Sequence, residues 1–444
     1  MNHEVRANPG QVEMGGICSE VSERSRRPAF WKADDARVPS HRLEARTWDL
    51  VVALAWAAHP DPLSRLRDAL KAQTERQHIL FAPSGRCAIA QILSFLPQQE
   101  VVMPAHLCHE VKKAAEVAGK RIIYVDLAKN SVNSTSAEFA EAAKPGRILL
   151  PAHALGVPTD IEAICKLAVQ RDCVVVEDAA AAFGARRAGR LLGTFGDVGV
   201  FSFERSKRFG AFRGGAIVVN NVGTVDPTKL GATRVAESTR ALPIRELLEA
   251  LARNVATNRR IFRGVALRLL PLRDSLQGLW RRRRRAQGTV AADQRPDVPR
   301  AAFYTREFHP YQAELMLRML GRMDEIRGQI ARLAAVYLEA FRDSGVSPLL
   351  PPDCDYGGLT RVPVAFRGKD RNVVLRLALK RGLYLKTHWE RPLPDESEWG
   401  RFPNAVWAAR NIVMLPLYSR LPLKSAQSLA CQLAEVVRDA PPAP

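Results

Sequence analysis

Long apolar runs, acidic excess and paired cysteines are all scarce in this sequence. The first apolar cluster, Leu50 to Ala58, is too short to cross a bilayer, and the polar N-terminus shows no secretory signal. The seven cysteines, Cys18, Cys87, Cys108, Cys165, Cys173, Cys354 and Cys431, are odd in number and form no CxxC pair. That spacing argues against a disulfide scaffold or a zinc ribbon and predicts reduced thiols in a cytoplasmic setting. His106, Cys108 and His109 lie close together, but no second ligand cluster accompanies them. No metal site is expected there, only a loop at a strand end. Acidic residues number 46 against 66 lysines and arginines, a net charge of +20. Half of that excess lies in residues 226–300, where 17 basic and 7 acidic residues give +10.

What is present is ordinary globular material: 47% hydrophobic and 25% charged residues over 444 positions, enough for two or three domains. Residues 1–45 are polar and basic without periodicity and are expected to form a disordered arm. From Ile79 a different pattern begins. Short apolar strand candidates, Val101–Met103, Arg121–Val125, Arg147–Pro151, Cys173–Glu177, Gly199–Phe203 and Ala216–Asn220, alternate with helical runs. The helical runs are Gly85–Leu96, Glu110–Ala118, Ser136–Ala143 and Ile161–Gln170. Fully apolar strands separated by helices predict an α/β domain around a mostly parallel sheet covered on both faces. The domain is placed at 46–225, followed by a basic helical insertion at 226–300. A connecting helix is placed at 301–345, which contains one long helical run over Gln312–Phe341. A smaller C-terminal αβ domain occupies 346–444.

Ligands of such sheets gather beyond the C-terminal strand ends. Two residues there stand out. Asp178 closes the run Val176-Glu177-Asp178-Ala179-Ala180, and Lys207 follows Phe201-Ser202-Phe203-Glu204-Arg205-Ser206. A lysine and an acid so placed suit an aldehyde cofactor: the lysine can form a Schiff base, and the acid can hold a pyridine nitrogen protonated. Ser84-Gly85-Arg86 opens a helix directly after Ile79-Leu80-Phe81, where free N–H groups favour an anion such as phosphate. Ser202 could add a hydroxyl to the same anion. A Ser-Gly helix start and a loop lysine are each common alone; their joint order with Gly214-Gly215 is what carries weight.

That order resembles the DegT/StrS group of pyridoxal-phosphate-dependent sugar aminotransferases. Leu149-Leu150-Pro151-Ala152-His153-Ala154-Leu155-Gly156-Val157-Pro158-Thr159-Asp160 also matches this family. The likeness is strong over Ile79–Asn220 and resumes near Tyr384-Leu385-Lys386-Thr387-His388-Trp389 and Phe402–Leu417. The resemblance implies pyridoxal-phosphate-dependent transferase fold type I, that is, an aspartate-aminotransferase-like fold, and a homodimer. It implies an amino donor, glutamate, and a nucleotide-linked keto sugar as acceptor, for surface polysaccharide or a related glycan. Lys207 becomes the catalytic lysine, Asp178 the partner of the pyridine nitrogen, and Ser202 with Gly85 and Arg86 the phosphate site. His388 matches a histidine at the sugar-binding mouth and His153 one beside the cofactor, although a satisfied core histidine fits His153 equally.

The chain also departs from the family. Ala181 replaces the usual Gln or His three residues after the aspartate, and Arg86 replaces a threonine. Cys108 falls where an aromatic ring commonly stacks on the cofactor, with His106 or His109 as substitutes. The asparagine given to the partner's phosphate is replaced near Thr305 or Arg306. Arg208 follows the lysine where Asn is common. A regulatory or scaffolding protein that kept the fold but lost activity is therefore the competing reading. A histidine at the lysine position marks sugar dehydratases of this family, and Lys207 argues against that branch.

Residues 244–270 read as an amphipathic helix, with Leu247, Leu248, Leu251, Val255, Phe262, Val265 and Leu269 on one side. Trp280 and the run Arg281–Arg285 follow. Residues 244–285 could meet an anionic membrane surface, which would place the protein at the inner leaflet. They could instead pack as a structural insertion, or bind phosphate groups such as those of a nucleotide sugar or nucleic acid.

Overall fold

The computed structural model describes residues 33–57, 61–232, 244–266 and 308–443. Seven strands form its central sheet: β1 His78–Ala82, β2 Glu100–Pro104, β3 Arg121–Val125, β4 Arg147–Leu149, β5 Val174–Asp178, β6 Val198–Ser202 and β7 Gly215–Val219. The order is β1-β7-β6-β5-β4-β2-β3. β3, β2, β4, β5 and β6 run parallel, while β7 is antiparallel to both β6 and β1. Alternation along the strands feeds two cores. Val102, Leu149, Val175 and Phe201 face one, and Val101, Ile148, Val176 and Val200 face the other.

The helices form where apolar stripes can cover these faces. α1 Thr47–Trp56 and α2 Pro62–Thr74 precede the sheet. α3 Gly85–Phe95 is buried along most of its length and packs beside α4 His109–Val117, and α5 Ile161–Gln170 follows. α6 Ile244–Ala256 packs against α1. The helical run expected over Gln312–Phe341 is two helices, α7 Pro310–Leu320 and α8 Met323–Ala340. They break at Gly321 and Arg322, where the Gly321 and Arg322 N–H groups fold back onto the carbonyls of Leu317 and Met319. The small domain sets an antiparallel sheet against α9 Arg371–Lys380, α10 Pro403–Asn411 and α11 Leu423–Asp439. Its strands are β8 Val346–Pro348, β9 Val362–Phe366, β10 Lys386–Thr387 and β11 Val413–Leu415, in the order β8-β9-β11-β10.

Two expectations change. Residues 1–32 lie outside the described residues, but the remainder of the expected disordered arm is ordered. Ala36, Val38, Leu43 and Ala45 are buried in the main core, and Glu44 is buried beside them. These apolar residues follow no regular period, because the segment runs as irregular chain over the core surface. In α6 the buried stripe is rotated from the expected one. Ala250 and Asn254 are buried and Leu247 and Leu251 sit at the edge, while Ile244, Leu248 and Val255 face outward. Val265, Leu269, Trp280 and Arg281–Arg285 fall outside what is described of side chains.

Candidate active site

The site forms where β2, β5 and β6 end beside the start of α3. Asp178 is the last residue of β5, paired in register with Val200 on β6. β6 ends at Ser202, and the chain then turns through Glu204–Gly210, with the Lys207 N–H donating to the Glu204 carbonyl at 2.8 Å. Lys207 is half-buried, and among the described residues its side chain makes no hydrogen bond or ion pair. Its charge is nonetheless felt by Asp178, Cys108 and His388.

Asp178 is buried, and among the described residues its carboxylate accepts one hydrogen bond, from the Ala180 N–H at 3.0 Å. Burial pushes its pKa up; the Ala180 N–H and the Lys207 charge pull it partly back. A buried carboxylate so sparsely bonded favours a cationic partner.

The start of α3 is a preformed cradle. Ser84 caps the helix, its Oγ accepting from the Cys87 N–H at 3.2 Å. Gly85 lies against Ser202: a Cβ on Gly85 would stand 2.7 Å from the Ser202 Cβ. A Cβ on Gly215 would in turn stand 2.9 Å from the Gly85 nitrogen. Only glycines allow β7 and the α3 start to meet so closely, and the meeting places the Ser202 side chain beside the N-terminus of α3. Arg86 points away to Glu110, in a 2.5 Å ion pair. Its guanidinium is thus engaged by Glu110 and by the Cys87 thiol, leaving the backbone as its contribution.

Cys108 follows β2 and precedes α4. Burial pushes its thiol pKa up, and the neighbouring Lys207 charge pulls it back. Ala181 is half-buried in the turn after Asp178. His106 is turned into a cluster with the small domain: its Nε2 lies 2.8 Å from the Trp389 carbonyl, and its ring meets His388 edge-on at 5.4 Å. His388 stacks on Trp389 at 3.9 Å between centroids. Burial holds His106 at a pKa of about 4, and burial with the His106 and Lys207 charges holds His388 well below its ordinary value. Both rings are therefore neutral at physiological pH. His106 Nδ1 and His388 Nε2 are buried without a hydrogen-bond partner among the described residues. Such orphaned nitrogens suit a ligand group. His109 opens α4 and does not join the cluster.

His153 is different. Its Nδ1 accepts from the Thr159 N–H at 3.2 Å, and its Nε2 lies 3.0 Å from Glu177. Glu177 also accepts from the N–H groups of Gly193, Phe195 and Gly196. Burial opposes its charge, but the His153 bond and these N–H groups together hold its pKa below the usual range. Both His153 nitrogens are committed to this core network, leaving only its ring face for a ligand. Thr305 and Arg306 lie outside the described residues.

The arrangement thus provides a half-buried amine, a buried carboxylate and an anion cradle at neighbouring strand ends. It fits the phosphorylated pyridine aldehyde expected from the sequence. Among the described residues no group of three or more His, Cys, Asp or Glu could hold a metal ion. A separate cleft of about 660 Å³, lined by Asn130, Asp160, Arg187, Asp353 and Trp407 among others, contains none of these groups.

Comparison with known proteins agrees with this geometry. Residues 52–230 match the DegT/DnrJ/EryC1/StrS aminotransferase family. The chain is similar to 3-amino-5-hydroxybenzoate synthase of Amycolatopsis mediterranei, 27% identical over 43% of this chain and 49% of that protein. It is 35% identical to the UDP-N-acetyl-3-dehydro-alpha-D-glucosamine 3-aminotransferase of Acidithiobacillus ferrooxidans, over 32% of this chain and 40% of that protein. The matches thus span half or less of these relatives' length. The fold is that of S. venezuelae DesV, solved with a ketimine intermediate: TM-score 0.65 and 23% identity, covering 91% of this chain and 98% of that one.

Proposed function

We propose that this chain, whose residues 52–230 match the DegT/DnrJ/EryC1/StrS aminotransferase family, is a pyridoxal-phosphate-dependent aminotransferase of that family. In this reading it moves an amino group from glutamate to a nucleotide-linked keto sugar. The observation that carries the reading is the convergence of Lys207, Asp178 and the Ser202–Gly85 cradle at neighbouring strand ends. When bound, pyridoxal phosphate supplies an aldehyde that condenses with amines and a ring that draws electrons from the adjoining carbon. The Ser202 hydroxyl and the Gly85 and Arg86 backbone hold its phosphate. Asp178 holds the proton on the pyridine nitrogen. Lys207 Nζ would anchor the aldehyde and, as a free amine, would take the proton from the donor Cα. The reverse sequence delivers the amine to the sugar, so glutamate leaves as 2-oxoglutarate and the keto sugar as an amino sugar. His388, with its orphaned Nε2, faces the incoming acceptor. The protein acts as a homodimer.

A panel of UDP-, dTDP- and GDP-linked keto sugars, incubated with glutamate and the cofactor-loaded protein, tests the substrate class. At least one should yield 2-oxoglutarate and an amino sugar in equal amounts by mass spectrometry. Amino transfer confined to acceptors without a nucleotide would overturn this substrate assignment.

We further propose that the 244–285 region docks on an anionic membrane at the cytoplasmic face. Among the described residues no helix is long and apolar enough to cross a membrane. Leu248 is 61% exposed on α6, with Ile244 and Val255 on the same face, and neighbouring α1 exposes Trp48 at 68% with Val51 and Trp56. Two outward tryptophans, in a chain whose residues 226–300 carry a net charge of +10, suit a headgroup layer. Flotation with vesicles should show binding that needs anionic lipid and weakens in high salt; no binding, or binding indifferent to lipid charge, contradicts this.

A further inference from the structure

The turn that carries Lys207 is not held by its own strand alone. Arg208, next in sequence, is 5% exposed and points the other way, into the protein. Its Nη1 donates to Glu44 Oε1 at 2.8 Å and to the Leu417 carbonyl at 3.0 Å, and its Nη2 donates to the Leu359 carbonyl. Glu44 comes from the irregular N-terminal segment, and the two carbonyls come from the small domain. Glu44 is further fixed by Ser419, whose N–H and hydroxyl both donate to it. The segment is tied at two more points: His41 Nε2 lies 3.2 Å from the Arg205 carbonyl, and Arg420 donates to the Leu43 carbonyl.

The Glu44 carboxylate is the shared counter-charge of this region. It acts on Arg42, Arg208, Arg361 and Arg420. Burial, then the Arg208 charge, pushes Arg361 down to about 10. A buried guanidinium with a forked set of acceptors is a rigid joint, because moving it would strand several buried polar groups at once.

We propose that Arg208 is a positioning residue for Lys207. Through Glu44, Leu359 and Leu417 it clamps the N-terminal segment and the small domain onto the Glu204–Gly210 turn, and so fixes where Lys207 Nζ stands relative to Asp178. This rests on the aminotransferase reading of Lys207. The two residues share a backbone but not a direction: Lys207 faces the site and Arg208 anchors the turn behind it.

The test uses the full-length, cofactor-loaded protein. Arg208→Lys keeps a positive charge opposite Glu44 but cannot reach both carbonyls with a planar fork. The double variant Glu44→Met/Arg208→Met removes both charges together, which buried pairs often tolerate. Melting temperature reports folding, and borohydride trapping followed by peptide mass reports the rate of cofactor attachment at Lys207. Steady-state kinetics separates kcat from KM. In whichever of the two variants folds, attachment should slow and kcat should fall by about 10- to 100-fold, with KM changed less than about threefold. A purely structural clamp would lower the melting temperature and leave both rates of the folded protein at the wild-type level, and that result overturns the proposal. A wild type that attaches no cofactor at Lys207 overturns the aminotransferase reading itself, a distinguishable failure.

Discussion

Lys207→Ala should leave a folded protein that has lost amino transfer by at least about 10³-fold. The two halves of this expectation have separate causes. The Lys207 side chain is half-buried at the site and makes no hydrogen bond or ion pair among the described residues, so its removal breaks no hydrogen bond and takes away only the charge that partly offsets the burial of Asp178. Stability should therefore change by only about 1 kcal/mol, the size of an ordinary single substitution. Activity has no such cushion, because in this reading Lys207 both anchors the aldehyde and carries the proton. Melting curves and a glutamate-dependent assay on one preparation check both halves. Near-wild-type turnover in this variant would remove Lys207 from its role.

Asp178→Asn should separate stability from function in opposite directions. The folded protein raises the Asp178 pKa through burial. A carboxyl whose folded value exceeds its unfolded value, about 3.9, binds more protons folded than unfolded. Its contribution to stability therefore falls as pH rises from about 4 towards the folded value, and the penalty is complete above that value. Asparagine has no such penalty. The cofactor-free variant should melt above the cofactor-free wild type at pH 7.5, and this difference should vanish as pH falls below about 4. With cofactor the order reverses, because the wild-type carboxylate gains a cationic partner and asparagine does not. Amino transfer should drop by about 10²-fold as the ring loses its protonated nitrogen. The measurement is a pair of melting series, with and without cofactor, across pH.

Much of the site was legible because its residues follow strands closely. Asp178 ends β5, and Ser202 ends β6, five residues before Lys207; the two strands are neighbours, so reading strand ends was enough to bring the groups together. The cradle was legible in part: Ser84 and Gly85 mark a helix start, but the close approach of Gly215 depends on β7 lying between β1 and β6. The neutral His106–His388–Trp389 cluster joins loops of two domains, and no local pattern links them. The Glu44–Arg208 pair spans 164 residues, and its N-terminal half sits in a segment whose irregular apolar spacing looks like disorder. The α6 stripe misled for a different reason. Periodicity shows that a helix has an apolar side, but not which part of that side another element covers.

The central claim is that Lys207 anchors pyridoxal phosphate in a working aminotransferase site. One measurement tests it most directly: the absorbance of the purified, cofactor-supplied protein before and after glutamate, followed by borohydride reduction and peptide mapping. A band at roughly 410–430 nm that shifts on adding glutamate is expected. Reduction before glutamate should fix the cofactor's mass on the peptide that contains Lys207. A protein that stays colourless with added cofactor, or carries the mass on another lysine, would contradict the claim.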